Sequence, residues 1–371
     1  MRHWPDRRLL DLLNIEIPII QAPMAGSDSI ALARSVASTG ALGSLGCALL
    51  SADGVREAMS ALRHEMSRPF NLNFFCHTMD IPGADATARW KSVLRPHYER
   101  WGLDIETVRE SRLRMPFNEE ACAVVEDIRP EIVSFHFGLP AASLIDRLKR
   151  RGIRILSSAT SVREAKWLES HGCDAVIAQG AEAGGHRGMF LETNIATQAG
   201  LFALLPQVRD AVSVPVIAAG GIADARGVVA AFALGASGVQ LGTAYLFCPE
   251  ANVSPLYRRA LDQTLASDPT GDGGTVLTNL FSGRPARGIL NRFVRELGPM
   301  SAAAPAFPYA ATLIAPLRAA SEKAGCADYM QMWAGQAARL GKPMAADRFT
   351  RDLAEDALRY WHEMPVGEAL D

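Results

Sequence analysis

No run of about 18 apolar residues occurs in the 371-residue chain, so it offers no candidate membrane-spanning helix. The opening residues, Met-Arg-His-Trp-Pro-Asp-Arg-Arg, lack the apolar core of an export signal. Charge of one sign is lacking too: 38 basic residues stand against 40 acidic ones, for a formal net charge of −2. Nothing in that balance suggests a nucleic-acid surface, and no nucleic-acid partner is expected. Cysteine is sparse, with six residues at 47, 76, 122, 173, 248 and 326, none in CxxC spacing. A zinc site is not expected from this pattern, nor is a disulfide framework in a large chain without an export signal. The expectation is reduced cysteines in a cytoplasmic protein. Among acidic and histidine candidates at strand ends, Glu182, His186, His136 and Asp224 are poorly spaced for one ion, so no metal is expected. GxGxxG after the first strand and GxxxxGK[ST] are both absent, which removes the Rossmann and P-loop modes of nucleotide binding. Low-complexity segments and literal repeats are missing as well.

What is present is a large apolar fraction, 49%, arranged in short runs that alternate with amphipathic stretches. The strand candidates are Ile17–Gln21, Ala41–Gly46, Phe70–Phe75, Ile132–Phe137, Arg154–Ser158, Ala175–Gln179, Val214–Ala219 and Gly238–Leu241. Helix candidates fall between most of them: Ser29–Ser38, Asp53–Met66, Asn118–Ile128, Ala142–Arg151, Ser161–His171, Gly200–Ala211 and Asp224–Leu234. Eight strand–helix units predict a closed (β/α)8 TIM barrel over residues 1–245, with a doubly wound open sheet as the alternative. Two segments break the rhythm. Residues 77–117, with Trp90 and Trp101, read as a helical insertion after the third strand. Residues 246–371 carry no convincing strand and have amphipathic stretches at Ala310–Ala324, Ala327–Leu340 and Arg348–Glu363, so they read as a helical C-terminal extension packed at the barrel mouth.

Barrel active sites form at the C-terminal ends of the strands, and the chemically suggestive residues fall there. After the sixth strand comes Ala-Gln-Gly-Ala-Glu-Ala-Gly-Gly-His-Arg-Gly (178–188), which sets His186 among glycines. Glycines allow close backbone approach to a ligand, and histidine titrates near neutral pH. A flexible turn with an exposed histidine is the competing reading. The first strand runs into Gln21-Ala-Pro-Met-Ala-Gly26, where Met24 can press on a planar ring, and the third ends in Asn71-Leu-Asn-Phe-Phe75, where an amide suits a ring carbonyl or N–H. In Ser134-Phe-His-Phe-Gly-Leu-Pro140, alternation puts His136 with Ser134 on one face and Phe135 with Phe137 on the other. His136 can face the mouth or be a satisfied core histidine. Glycine turns follow the seventh strand (Ala219-Gly-Gly-Ile222) and the eighth (Gln240-Leu-Gly-Thr243), the usual barrel phosphate site, with Asp224 read as the cap of the next helix. One phosphate beside a broad apolar ring fits FMN. Arg187 can attract anions but reads more readily as a solvated loop arginine; Arg284 and Arg287 can guide an anionic substrate but read more readily as ties between the C-terminal segment and the barrel; Tyr309 is a pocket candidate.

Four motifs, Gln21–Gly26, Val133–Pro140, Asp174–Gly188 and Ala219–Ile222, together with Phe281-Ser-Gly-Arg-Pro-Ala-Arg-Gly288 and Met332-Trp-Ala-Gly-Gln336, resemble the nitronate monooxygenases of the bacterial class I type, once called 2-nitropropane dioxygenases. The resemblance runs nearly the whole length. It implies a TIM barrel holding FMN against Ala22, Pro23, Met24, Asn73, Gln179, Gly184, Gly185, Gly220, Gly221, Gln240, Leu241, Gly242, Thr243, Trp333, Gly335 and Gln336. It also implies that His186 is the catalytic base or an electrostatic partner for a nitronate, with His136 a second active-site histidine. The implied partners are a small-molecule nitronate, such as propionate 3-nitronate, and O2; the implied state is a monomer or homodimer. Related barrels are NAD(P)H:quinone reductases and enoyl-ACP reductases, and no separate nicotinamide motif is visible here. A non-catalytic flavin or phosphometabolite sensor would lack the two histidines. An aldolase-type barrel would need a lysine or metal cluster at a strand end, and no strand candidate ends in lysine.

Overall fold

Eight short apolar runs pair as parallel strands in a computed structural model of the chain, which describes residues 3–109, 113–266 and 274–363. Parts of the expected insertion and extension (110–112, 267–273 and 364–371) lie outside the described residues. The strands are β1 (Ile19–Gln21), β2 (Gly43–Gly46), β3 (Phe70–Phe75), β4 (Ile132–His136), β5 (Arg154–Ala159), β6 (Ala175–Gln179), β8 (Val216–Ala219) and β9 (Gly238–Leu241), with a two-residue strand β7 (Gly185–His186) outside their sheet. The parallel sheet runs β1-β9-β8-β6-β5-β4-β3-β2. A parallel bridge between Ile20 and Leu42 joins its two ends, through Gln21 N to Leu42 O at 2.9 Å and Leu42 N to Ile19 O at 3.0 Å. The sheet is therefore a closed TIM barrel, and the open doubly wound alternative is set aside.

Strands buried on both faces need apolar residues throughout, which is why runs such as Ala175-Val-Ile-Ala178 were legible. Ile20, Leu42, Ile132, Leu156, Ile177 and Ile217 fill the barrel interior. The helix Arg8–Leu13 adds Leu9, Leu10 and Leu13 to that cluster. Leu9 reaches Gly238 at the start of β9, so this helix stoppers the N-terminal end. Side-chain caps mark several surrounding helices: Ser29 accepts from Leu32 N, Asn118 from Ala121 N, Ser161 from Glu164 N, and Asp224 from the amides of Arg226 and Gly227. Asp224 thus caps a helix, as expected from the sequence.

The insertion forms the helix Ala84–Arg100. Its Trp90, Leu94 and Tyr98 share an apolar cluster with Phe281, Phe293, Ile314, Leu317 and Tyr329 of the C-terminal part. Three sequence expectations need correction. The C-terminal part is not free of strands: β10 (Thr275–Thr278) and β11 (Ala286–Ile289) form a hairpin, and β7 joins it to make a three-stranded antiparallel sheet. Each of these strands is too short to show periodicity, and Arg287 and Gly288 disguise β11. Residues 327–337 are not helical; only Ala338–Leu340 makes a 3₁₀ turn, because the preceding residues cross the mouth and Trp333 bridges Gly288. The final helix, Ala346–Glu363, lies on the outer wall rather than at the mouth. It packs between Ile30–Ala37 and Ala225–Ala233, with Phe349, Leu353 and Ala357 in the main barrel core, and so fills the position of the eighth barrel helix.

Asp28 fastens the loop above β1 to the end of β2. It is 7% exposed and accepts from the amides of Met24 and Gly46, both at 2.7 Å. Burial pushes its carboxyl up to about 6, against the pull of those donors. A folded pKa above the ordinary 3.8 means that the folded state holds the proton more tightly, so the associated stability is present at acid pH and is lost as pH rises through 6. Relative to Asp28→Asn, the wild type should lose about 3 kcal/mol between these two pH values. Urea unfolding of both proteins across that range reads the difference directly; a flat difference would mean that Asp28 ionises as if exposed.

Candidate active site

A cavity opens at the C-terminal ends of the barrel strands, and each wall comes from a strand end or the loop after it. Ala22, Pro23 and Met24 follow β1, Asn73 and Phe75 end β3, His136 ends β4, and Ser158 lies near the end of β5. Register matters here. Asn73 is paired with Ser134 across β3 and β4, which lets its amide donate to the Ser134 hydroxyl at 2.9 Å. Gln179, Ala219 and Gln240 stand in one row across β6, β8 and β9. The Oε1 atom of Gln240 is buried and has no partner in the protein, an acceptor held toward something the chain itself does not supply.

The roof is the segment 332–336. Gly184 and Gly335 meet back to back: a Cβ on Gly184 would stand 2.6 Å from the Gly335 nitrogen, and one on Gly335 would stand 2.7 Å from the Glu182 carbonyl. The roof is then tied down by Gly335 N to Thr243 Oγ1 at 2.9 Å, Gln336 N to Glu182 O at 2.9 Å and Tyr257 Oη to Trp333 O at 2.5 Å.

His186 owes its position to β7. Its residue pairs with Ala286 and Gly185 pairs with Arg287, which stands the imidazole 5.4 Å from the Trp333 ring and 5.3 Å from Phe307. Gln179 braces the same loop, donating to His186 O at 3.0 Å and accepting from Gly188 N at 2.8 Å. Arg187 is fully buried, not solvated: it donates to the carbonyls of Gln179 at 2.8 Å and Gly180 at 2.7 Å, and to Gln198 Oε1 at 3.0 Å. Arg287 donates to Ala181 O at 3.0 Å and Arg284 to Met189 O, so both tie the hairpin to the barrel.

His136 has both ring nitrogens engaged. Nε2 donates to the His186 carbonyl at 3.1 Å, which leaves Nδ1 to accept from the Ser158 hydroxyl at 2.5 Å. Burial drives its pKa down to about 3. The environment of His186 also keeps it neutral: burial first, then the charge of Arg114, hold it well below the ordinary 6.5, with His136, Arg284 and His77 adding to the effect. Its Nε2 lies 2.9 Å from Ser282 Oγ, whose hydroxyl points to the Arg284 carbonyl at 3.3 Å. This network assigns the proton to Nε2 and leaves Nδ1 an unpartnered acceptor. A protonated His186 as partner for an anion is therefore disfavoured.

Of the residues singled out from sequence, Ala22, Pro23, Met24, Asn73, Gln179, Gly184, Gly185, Gly220, Gly221, Gln240, Gly242, Thr243, Trp333 and Gly335 line this one cavity, as do both histidines. Leu241 turns outward into the barrel core, and Gln336 is exposed. Tyr309 stays outside the lining. Phe137 departs from alternation: its φ is +72°, just past the end of β4. That turn swings its ring to 4.9 Å from Phe75 and 5.6 Å from Phe307, beside the histidines, while Phe135 remains with the outer core. Unanticipated residues are Arg114 and Phe75 on the cavity wall, and Ser282 and Phe307 beside His186. Phe75 and Ser282 did lie in motifs visible in the sequence, Asn71–Phe75 and Phe281–Gly288, whereas Arg114 and Phe307 carried no signal. Among the described residues no cluster of three or more His, Cys, Asp or Glu side chains could hold a metal ion, and no helix is long and apolar enough to cross a membrane.

Comparison with known proteins agrees with this architecture. The family model described as nitronate monooxygenase matches residues 6–356. A nitronate monooxygenase from Paraburkholderia phytofirmans is 42% identical over 356 residues, 94% of each chain. Among solved structures, a nitroalkane oxidase from Streptomyces ansochromogenes superposes with a TM-score of 0.84 at 38% identity, covering 95% of this chain and 98% of the other. FabK from Thermotoga maritima follows at 0.70 and 27%, covering 97% and 98%. With a family model spanning nearly the whole chain and a relative this similar over almost its full length, the chain belongs to the nitronate monooxygenase family, a family of oxidoreductases.

Proposed function

We propose that the chain is an FMN enzyme that oxidises alkyl nitronates, propionate 3-nitronate among them, with O2 to a carbonyl product and nitrite, acting in the cytoplasm as a monomer or homodimer. The observation that carries the reading is His186: a neutral imidazole with a free Nδ1 at the wall of a glycine-lined cavity. The residues present suit FMN. The consecutive left-handed Gly220 and Gly221 (φ +109° and +71°) make a concave turn fit for a phosphate. Gln240 brings a buried acceptor without a partner, and Met24 and Trp333 offer apolar surface for a planar ring. When bound, the flavin supplies electron acceptance and the reaction with O2.

The protein's own share is positioning and proton transfer. A substrate arriving as a neutral nitroalkane must lose its α-proton, and Nδ1 of His186 takes it. Ser282 engages Nε2 and so leaves Nδ1 free to serve a substrate in the cavity that His186 lines. His136, with both nitrogens committed, is a positioning residue: it holds the His186 carbonyl and so the loop that carries the base. A substrate arriving already ionised needs no base.

Two outcomes are expected. His186→Asn should lower turnover of neutral nitroethane by about 10²- to 10⁴-fold and spare that of ethyl nitronate. Because His186 stays neutral well below pH 6.5, wild-type rates with nitroethane should show no acid limb near that value. Oxygen-uptake rates across the pH range measure both. In the same assay, flavin reduced rapidly by NADH in a protein inert to nitronates would move the assignment to the reductase chemistry that the FabK likeness keeps in view.

A further inference from the structure

We propose that Arg114 is the anion-recognition residue of this site: its guanidinium, at the cavity wall and without a partner among the described residues, grips an oxyanion of the substrate and selects nitronates over their neutral nitroalkane parents. The proposal rests on the functional reading above and deepens it.

Arg114 stands apart from the other arginines around the cavity, each of which is held by at least one main-chain carbonyl. Arg187 donates to the carbonyls of Gln179 and Gly180, Arg287 to that of Ala181, and Arg284 to that of Met189 while lying 4.0 Å over the Phe137 ring, its Nε alone unpartnered. Arg318, whose charge adds to the lowering of the Arg114 pKa, is itself paired with Glu322 at 2.7 Å. Among the described residues, no carboxylate or carbonyl engages the Arg114 side chain. Yet the residue lines the cavity, and burial bears on its charge enough to lower its pKa. A cation withdrawn from water without a partner is costly unless a ligand completes it. Among the described residues Glu182 is the one carboxylate in the cavity wall, and both its oxygens accept from Leu201 N at 2.9 Å.

The main chain at Arg114 is also fixed. Its carbonyl accepts from His77 Nε2 at 3.0 Å. The His77 ring stands edge-on to Phe307 at 4.7 Å, and Phe117 N donates to Phe75 O at 2.7 Å, so the segment is fastened to β3 on its far side. The guanidinium is presented on a rigid base, where an arginine can hold a planar two-oxygen anion side by side. The charged and titratable groups facing His186 are Arg114 from the insertion, His77 after β3, His136 on β4 and Arg284 before β11, and among them Arg114 weighs most on its protonation. One cation thus serves two ends: it keeps the base unprotonated and attracts the anion that the base, or the solvent, has produced.

The test compares flavin-loaded wild type with Arg114→Met and Arg114→Lys. Nitrate, a planar oxyanion with no reactivity here, is titrated calorimetrically. Arg114→Met should weaken nitrate about 10- to 100-fold, the loss typical of a charge-assisted contact, and Arg114→Lys should recover part of it. KM for ethyl nitronate should rise by a similar factor with kcat nearly unchanged, while KM for nitroethane should not. Comparing ethyl nitronate with propionate 3-nitronate tells which oxyanion is held: an equal loss assigns the nitro end, a loss larger for the second substrate assigns its carboxylate. In Arg114→Met an acid limb for nitroethane should move to higher pH, because His186 then protonates more readily; a merely structural arginine would leave that limb in place. Unchanged nitrate affinity and nitronate KM in a folded, flavin-loaded Arg114→Met would overturn the assignment. A flavin-loaded wild type inert to every nitronate would overturn the functional reading, and the assignment with it.

Discussion

The mouth of this barrel is organised by a pairing only two residues long. Gly185 and His186 add themselves as a third strand to a hairpin that the chain forms a hundred residues later, opposite Arg287 and Ala286. Without that edge, the segment after β6 would be a glycine-rich loop with no reason to hold an imidazole still. With it, the direction of the His186 side chain is set by sheet geometry, in which alternate residues face opposite ways. The supports converge on the same place. Arg187 draws in the end of β6, Arg287 reaches back to Ala181, Gln179 spans His186 and Gly188, and His136 holds the His186 carbonyl. Each spends polar groups on backbone, which is how buried polar atoms escape the penalty of being unpaired.

The electrostatics follow from this enclosure. His77, His136 and His186 lie within one aromatic setting made by Phe75, Phe137 and Phe307. Burial holds His77 at about 4 and His136 at about 3. A cluster of imidazoles next to arginines cannot also carry positive charge in a medium of low polarity. The result is a site whose positive charge lies on guanidinium groups, which do not titrate near neutrality, while its histidines stay neutral and His186 alone keeps a ring nitrogen uncommitted. That division separates attraction of an anion from acceptance of a proton.

Much of this was legible in the sequence, for identifiable reasons. The barrel strands are buried on both faces, so most are short runs dominated by apolar residues, broken only by small or amide side chains as in β2, β3 and β5, and the structure moves their ends by only a residue or two. Serine, asparagine and aspartate ahead of apolar periods marked helix starts because a side-chain oxygen there satisfies a free amide. Strand-end residues converged on the mouth because the fold class dictates it. What escaped was set by distant contacts. β7, β10 and β11 are too short to show a period, and none of them is a strand without the others. Arg187 looked solvated because nothing nearby in sequence announces the carbonyls that surround it. Phe137 broke alternation through one left-handed backbone angle. Arg114 sits in the insertion, where no strand end pointed to it.

The position of the final helix has a consequence for how the polypeptide is made. Helix Ala346–Glu363 stands between the helices that follow the first and the seventh barrel strands. The amides of Ala346 and Asp347 donate to Glu250 Oε1 at 3.0 Å and Ser35 Oγ at 3.1 Å, and Tyr245 meets Thr350 at 2.9 Å. The wall of the barrel is thus completed by residues that leave the ribosome about a hundred positions after the last barrel strand, when the roof has also been synthesised. Until then Ile30–Ala37 and Ala225–Ala233 keep an apolar seam open to water. Such late closure gives folding a high contact order, which slows it, and leaves a window in which the nascent chain has a sticky flank. The earliest and the latest parts of the chain must meet before either is shielded, so synthesis itself becomes the timing device for barrel closure.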